Sequence, residues 1–166
     1  MALDLIYIVD EMNGYRKKVS TAIKPSLAAF MVILLLSYVS LNTTYGYIIA
    51  VSFGATMVLL FGYPSSPFAQ PKNIFFGHII TATSGIIFSH IALPLTLGIA
   101  AAVSIGIFFM MLFNLVHPPA GGNPIAVLLG DYSNEFLFTT ILLGTILILI
   151  FGTFINRYIL KLKYPN

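Results

Sequence analysis

His117, Gly121, Gly122 and Asn123 stand together in HPPAGGNP (117–124), and Ser66, Gln70, Lys72, Asn73 and His78 stand in SSPFAQPKNIFFGH (65–78). Neither stretch contains an acid. Both offer hydrogen-bond donors and one or two ionisable nitrogens, a set suited to an anion. The prolines remove backbone donors and the glycines loosen a helix, so each stretch breaks any helix around it. A helix that restarts at Pro71 or near Pro124 presents unpaired amides and the positive end of its dipole to whatever lies before it. Asp131 and Glu135 lie at the far end of the short segment after Pro124, where a cation site is less well supplied. Plainer readings stand beside these. Lys72 fits a cytoplasmic turn obeying the positive-inside bias, and His117 fits a surface histidine capping a helix C-terminus.

Catalytic chemistry finds no foothold. The chain has no cysteine, hence no thiolate metal site, disulfide framework or redox couple. No H-E-x-x-H occurs. His78 and His90, twelve residues apart, would be separated by ~18 Å on one helix and could not share a metal or haem. Asp131 is the only acid near a histidine in sequence, so no Ser-His-Asp set assembles. We expect no enzyme, no metal and no cofactor. The formal charge of +3 is small and scattered, which excludes nucleic acid as a partner.

The elements that must position these residues are membrane spans. The chain is 58% hydrophobic and 8% charged, against ~25% charged for a soluble domain, and its mean hydropathy is +0.97. Signal and transit peptides are not expected, because Asp4, Asp10 and Glu11 sit in the N-terminal segment. A soluble regulatory or nucleotide-hydrolysing domain is not expected either. No charge appears between Lys24 and Lys72 or between Lys72 and Asp131, and each of these lengths holds two spans of ~20 residues, the second with a remainder; 136–156 holds one more. The spans read as 26–42, 45–63, 73–91, 95–116 and 135–157, leaving 117–131 too short and too broken for an ordinary span. Arg16, Lys17, Lys18 and Lys24 flank the first, and Arg157, Lys161 and Lys163 the last, which puts both termini in the cytoplasm. Both ends inside need an even number of crossings. Either 117–131 is a sixth, broken crossing with its helix starting near Pro124, or one span re-enters and four cross. The first is preferred.

An internal echo favours it. GATMVLLFGY (54–63) and NPIAVLLGDY (123–132) align without gaps, each following one long apolar helix and preceding another. Two three-element units, 26–91 and 95–157, would then be inverted, with the site at broken helices near the midplane. Chance recurrence of Val-Leu-Leu in a leucine-rich chain explains the echo as well. The expected fold is thus all-α and polytopic, with four to six transmembrane segments, half helices at the Gly/Pro motifs and an inverted repeat as an open alternative. Residues 1–24 would form an N-terminal cytoplasmic segment with an amphipathic helix over 2–13 broken at Gly14, 25–158 the membrane domain, and 159–166 a short basic tail. Gly77, Thr81 and Gly85, and Gly98, Ala102 and Gly106, form small-residue stripes that let helices approach. Gly144 and Gly152 continue the habit. Tyr45, Tyr47, Tyr63, Tyr132, Tyr158 and Tyr164 fall near span ends, as an aromatic belt would. Asn42-Thr43-Thr44 matches a glycosylation acceptor too close to the bilayer to carry weight.

SFGATMVLLFG, the block from PSSPFAQPKN to the following Gly-His, and above all HPPAGGNP resemble the HPP family of integral membrane proteins. The resemblance runs from about residue 20 to the C-terminus. It implies four transmembrane helices, against the six crossings preferred above. It also implies transport, since members in photosynthetic lineages are assigned nitrite transport. His117, Pro118, Pro119, Gly121, Asn123 and Pro124 match the signature; Ser66, Pro67, Gln70, Pro71, Asn73 and His78 match the other block. Gly122 departs from it, standing where alanine often does. The C-terminal regulatory domains of some relatives are not expected here. The resemblance implies a transporter or channel for a small inorganic anion, nitrite foremost, in the cell (inner or plasma) membrane. Its partners would be that anion and the bilayer, and a homo-oligomer stays open. Helix-end amides with Asn123, Gln70 and His117 would bind the ion, and Lys72 would attract it at the mouth. A structural or receptor-like membrane protein, with the two blocks as plain loops, is the alternative.

Overall fold

The computed structural model describes the backbone of residues 2–42, 49–130, 132 and 134–166, and their side chains except for 2–11 and 13. Thr43 and Thr44 of the glycosylation acceptor, Tyr45, Tyr47, Asp131 and most of the amphipathic face over 2–13 lie outside the described residues.

Six helices follow one another among the described residues: α1 (Ala2–Asn42), α2 (Val51–Gly62), α3 (Pro71–Ser89), α4 (Leu95–Leu112), α5 (Asn123–Gly130) and α6 (Asn134–Ile159). The chain is an all-α, multi-span membrane protein whose helices are interrupted at Pro/Gly linkers. Gly14–Asn42 of α1, all of α4 and all of α6 are long and apolar enough to cross a bilayer. Their apolar side chains point outward: Leu34, Leu41, Phe108, Met111, Phe138 and Ile150 are all exposed. In lipid that arrangement costs nothing, and association rests on close packing and internal hydrogen bonds instead. The interior accordingly holds small and polar residues, among them Thr56, Asn73, His78, Thr81, Ser84, His117 and Asn123.

Several expected boundaries change. The helix expected over 45–63 is α2, seven α-helical residues followed by five in a π turn. At 1.5 Å per residue it spans about 18 Å, short of a ~30 Å hydrocarbon core. α1 runs through Gly14 without a break and carries Pro25 inside it. α4 stops at Leu112 rather than 116, because Asn114 takes a left-handed conformation (φ 54°). Leu115 N–H then donates to Met110 O and Asn114 N–H to Met111 O, which closes the helix and turns the chain inward. Tyr164 does not join an aromatic belt. It is buried, and its hydroxyl donates to Ala69 O at 2.7 Å. Burial pushes its pKa up, so it stays a neutral donor. Pro71 opens α3 as its first residue, and Asn123-Pro124 opens α5, as expected.

α3 is the hub, packed against α4, α5, α6 and the 3-10 turn Pro118–Gly122. The chain from Val116 to Val127 climbs beside α3 in the same direction. Asn73 Nδ2 donates to Val116 O at 2.9 Å, and Asn123 Nδ2 donates to His78 O at 3.2 Å. Gly85 lies against Pro124 and Val127. Leu128 reaches Gly98 in the first turn of α4, so α5 ends at the opposite end of α3 from Lys72. α6 returns to the Lys72 end, where Asn156 Nδ2 donates to Leu60 O at 2.9 Å. The C-terminal tail docks on the 64–70 loop, Asn166 N–H donating to Gln70 Oε1 at 2.8 Å.

The close approach at Gly85 yields a stability test. A Cβ there would stand 2.8 Å from Pro124 Cα, a backbone atom that cannot swing aside. Gly85→Ala should therefore destabilise the protein by about 1–3 kcal/mol, the usual cost of overpacking. Gly54→Ala, with open space at the same position, should not. Thermal midpoints in detergent check both; equal midpoints would contradict the packing.

Candidate functional site

Both helix breaks deliver a histidine or its partner to one place. In the first break, Ser66 accepts from Phe68 N–H at 3.2 Å and caps the 3-10 turn Pro67–Ala69. Gln70 Nε2 donates to Pro64 O and Ser66 O, both at 3.0 Å. The turn aims the Phe68 carbonyl at His117. In the second break, Ala120 N–H donates to His117 O at 3.0 Å, and the prolines start the turn that ends in Asn123. No atom lies within 4 Å of a Cβ added at Gly121 or Gly122, so both border open space. Gly77 of α3 lets His117 approach, since a Cβ there would stand 2.8 Å from His117 Cβ.

The buried side chains form a continuous chain of hydrogen bonds. Ser52 Oγ donates to Asn123 Oδ1 at 2.7 Å. Asn123 Nδ2 faces His78 Nδ1 at 3.0 Å and Thr81 Oγ1 at 3.1 Å. Thr56 Oγ1 stands 3.0 Å from His78 Nε2 and 3.0 Å from His117 Nε2. His117 Nδ1 stands 2.7 Å from Phe68 O. The two rings are 5.0 Å apart, and Phe53 packs edge-on against His78 at 5.1 Å. His78, His117 and Thr56 have no exposed surface.

The protons can be assigned from chemistry alone. A carbonyl only accepts, so His117 Nδ1 carries the hydrogen that meets Phe68 O. A neutral His117 then has a lone pair on Nε2, and the single Thr56 hydroxyl proton is shared between that lone pair at 3.0 Å and Ser52 O at 3.1 Å. Thr56 therefore accepts from His78 Nε2–H. That leaves a lone pair on His78 Nδ1, filled by the Asn123 amide, whose own orientation is set by its second donation to His78 O. Each donor points the same way, from Ser52 towards Phe68. All partners are satisfied with both imidazoles neutral, as burial in apolar surroundings demands.

Two cavities flank this plug. One, of about 510 Å³, lies at the Lys72 end and is lined by Pro67, Phe68, Gln70, Lys72, Asn73 and Asn114. The other, of about 480 Å³, lies where α2 and α5 begin and is lined by Val51, Ser52, Pro119, Gly122, Asn123 and Tyr132. The expected site residues thus separate into groups. His78, His117 and Asn123 form the plug. Gln70, Lys72 and Asn73 line the first cavity. Gly122 faces the second. Ser66 is engaged in its turn, and Gly121 is half-buried between the groups. His90 is the exposed C-cap of α3, away from the plug. Thr56, Ser52 and Thr81 complete the network without having been expected as site residues. Their legible signal is the four-residue spacing of Ser52 and Thr56 in an otherwise apolar stretch. Among the described residues, no group of three His, Cys, Asp or Glu side chains could hold a metal.

The sequence matches the transmembrane-region model of the HPP family over residues 15–165. It is also similar to two transmembrane proteins of Dictyostelium discoideum. Each is 34% identical over 123 residues, which cover 69% of this chain. The matched stretch spans 43% of one relative and 39% of the other, so both are much longer than the shared region. No solved structure matches. With its two Pro/Gly motifs meeting at one buried histidine pair, and a family match over almost its whole length, the chain belongs to the HPP family of integral membrane proteins.

Proposed function

We propose that this protein is a transporter or channel for a small inorganic anion, with nitrite the first candidate. One observation carries the reading: the N-termini of α2 and α5 converge on one cavity, where Ser52 and Asn123 join them. Two positive dipole ends and neutral donors favour an anion and repel a cation. No acid is among the described residues lining either cavity. Lys72 stands exposed at the other mouth, where it raises the local anion concentration without binding tightly.

In this reading the anion passes between the cavities through the plug. Asn123 and the Gly121–Gly122 turn bind it on one side, and Gln70, Lys72 and Asn73 receive it on the other. His78 and His117 close the path in the present conformation. In the same reading the segment from Val116 to Gly130 completes a sixth, broken crossing, and its course beside α3 from the Lys72 end to the first turn of α4 supports this. α2 and α5 then occupy equivalent places in two inverted three-element units, which their aligned sequences support. Residues 25–158 form the membrane domain, and 1–24 and 159–166 face the cytoplasm of a cell membrane. The chemistry fits nitrite, a small planar acceptor, and equally admits nitrate or formate.

Flux into proteoliposomes of the purified protein tests the reading. Nitrite, nitrate and formate should enter and compete with one another, while sodium and potassium should not. Cation flux of similar size that nitrite leaves unchanged would overturn it. Vesicles that pass no anion at all would favour a structural or receptor-like role.

A further inference from the structure

The plug is more than a barrier, because its hydrogen bonds run in one direction from one cavity to the other. Ser52 and Asn123 line the cavity at the start of α2 and α5, and Phe68 lines the cavity at Lys72. Between them lie only His78, Thr56 and His117, in bonds of 3.0, 3.0 and 2.7 Å. We infer that His78, Thr56 and His117 form a proton relay across the plug, gated by Asn123, so that a proton travels with the anion. The relay takes its partner ion from the anion reading above, but its own geometry stands apart from the identity of that ion.

The steps balance without any co-reactant beyond water. A proton from water in the Ser52 cavity binds His78 Nδ1. His78 releases its Nε2 proton to Thr56 Oγ1, which passes its own hydroxyl proton to His117 Nε2. His117 then releases its Nδ1 proton to water that enters from the Lys72 cavity when the Phe68 carbonyl moves off it. One proton enters and one leaves. Both rings finish in the opposite tautomer and reset by reorienting. Thr56 is the link to test, since among the described residues it alone bonds both Nε2 atoms.

Asn123 explains why the relay need not leak. Its amide occupies His78 Nδ1, and an amide nitrogen neither accepts nor passes a proton readily. An anion held by Ser52 and Asn123 at the mouth of the cavity competes for those same donors. Drawing the amide towards the anion frees His78 Nδ1 for a proton. Access for the proton thus depends on the anion, which is what coupling requires. Among the described residues, no other ionisable side chain is hydrogen-bonded to the relay. Among the described residues α2, α4 and α5 contribute none, while Lys72 and His90 of α3 and Glu135, Arg157 and Tyr158 of α6 are exposed near helix ends. Tyr132 stands at the rim of the Ser52 cavity.

Proton movement in proteoliposomes, read with an entrapped pH dye, tests the relay. It is measured with and without nitrite, and with a potassium-diffusion potential as driving force. Mildly alkaline buffer and protein-free vesicles account for nitrous acid crossing the lipid. The wild-type protein should move protons together with nitrite. Thr56→Val, which keeps the shape and removes the hydroxyl, should lower the proton-to-nitrite ratio on the order of 10²-fold, the contribution of a positioned proton carrier. Thr56→Ser should restore most of it. Nitrite flux without protons in the wild type, or an unchanged ratio in Thr56→Val, would overturn the relay and leave the anion reading standing. Potential-driven proton flux that depends on Thr56, in vesicles that pass no anion, would overturn both the gating by Asn123 and the anion reading. If neither protons nor anions move, the relay fails as well.

Discussion

The fold turns on one side chain amide. Asn123 joins α2 through Ser52, α3 through His78 and Thr81, and opens α5, all with bonds of 2.7–3.2 Å. In an apolar bilayer such an amide has no water to fall back on, and each unmet group costs several kcal/mol. Every neighbour must therefore answer it. His78 must present a lone pair, Thr56 must accept from the other side of that ring, and His117 must accept from Thr56. The chain of obligations ends only at Phe68 O, in the other helix break. This is why two motifs far apart in sequence have to meet.

The same constraint sets the architecture around them. A carbonyl and two imidazoles can be brought within hydrogen-bond reach only if backbones approach closely, which Gly77 and Gly85 allow on α3. Helix α4 carries Gly106 against Thr81 for the same reason, and Ser84 donates to Ala102 O at 2.7 Å. The long apolar side chains are left to face lipid. The C-terminal tail holds the 64–70 turn through Tyr164 and Asn166, and so fixes the carbonyl that closes the network. One cavity lies where the two short helices begin, and the other between the 65–73 segment and the end of α4.

Much of this was legible in the residues. Pro71 and Asn123-Pro124 mark helix starts because proline is tolerated only in the first turn, and both starts are observed. HPPAGGNP carries His117 and Asn123 into the buried network. The length of α2 was not legible, since a run of apolar residues looks alike whether it is helical throughout or only from Val51. Nor was the pairing of His78 with His117. They are 39 positions apart, and nothing in either motif states that Thr56 lies between them. Tyr164 reads as a belt residue by its place near the chain end, and only the docking of the tail onto Ala69 buries it. Local chemistry could be read from sequence, and long-range partnership could not.

In the proposed transport path, the plug separates two cavities that open on opposite faces of the membrane. Because the chain has no cysteine, single residues can be labelled on an otherwise unreactive background. Lys72→Cys and Tyr132→Cys, each at the rim of one cavity, should react with a membrane-impermeant thiol reagent added from opposite sides of oriented vesicles. Labelling of both from the same side would contradict the claim, because the segment from Val116 to Gly130 would then turn back instead of crossing.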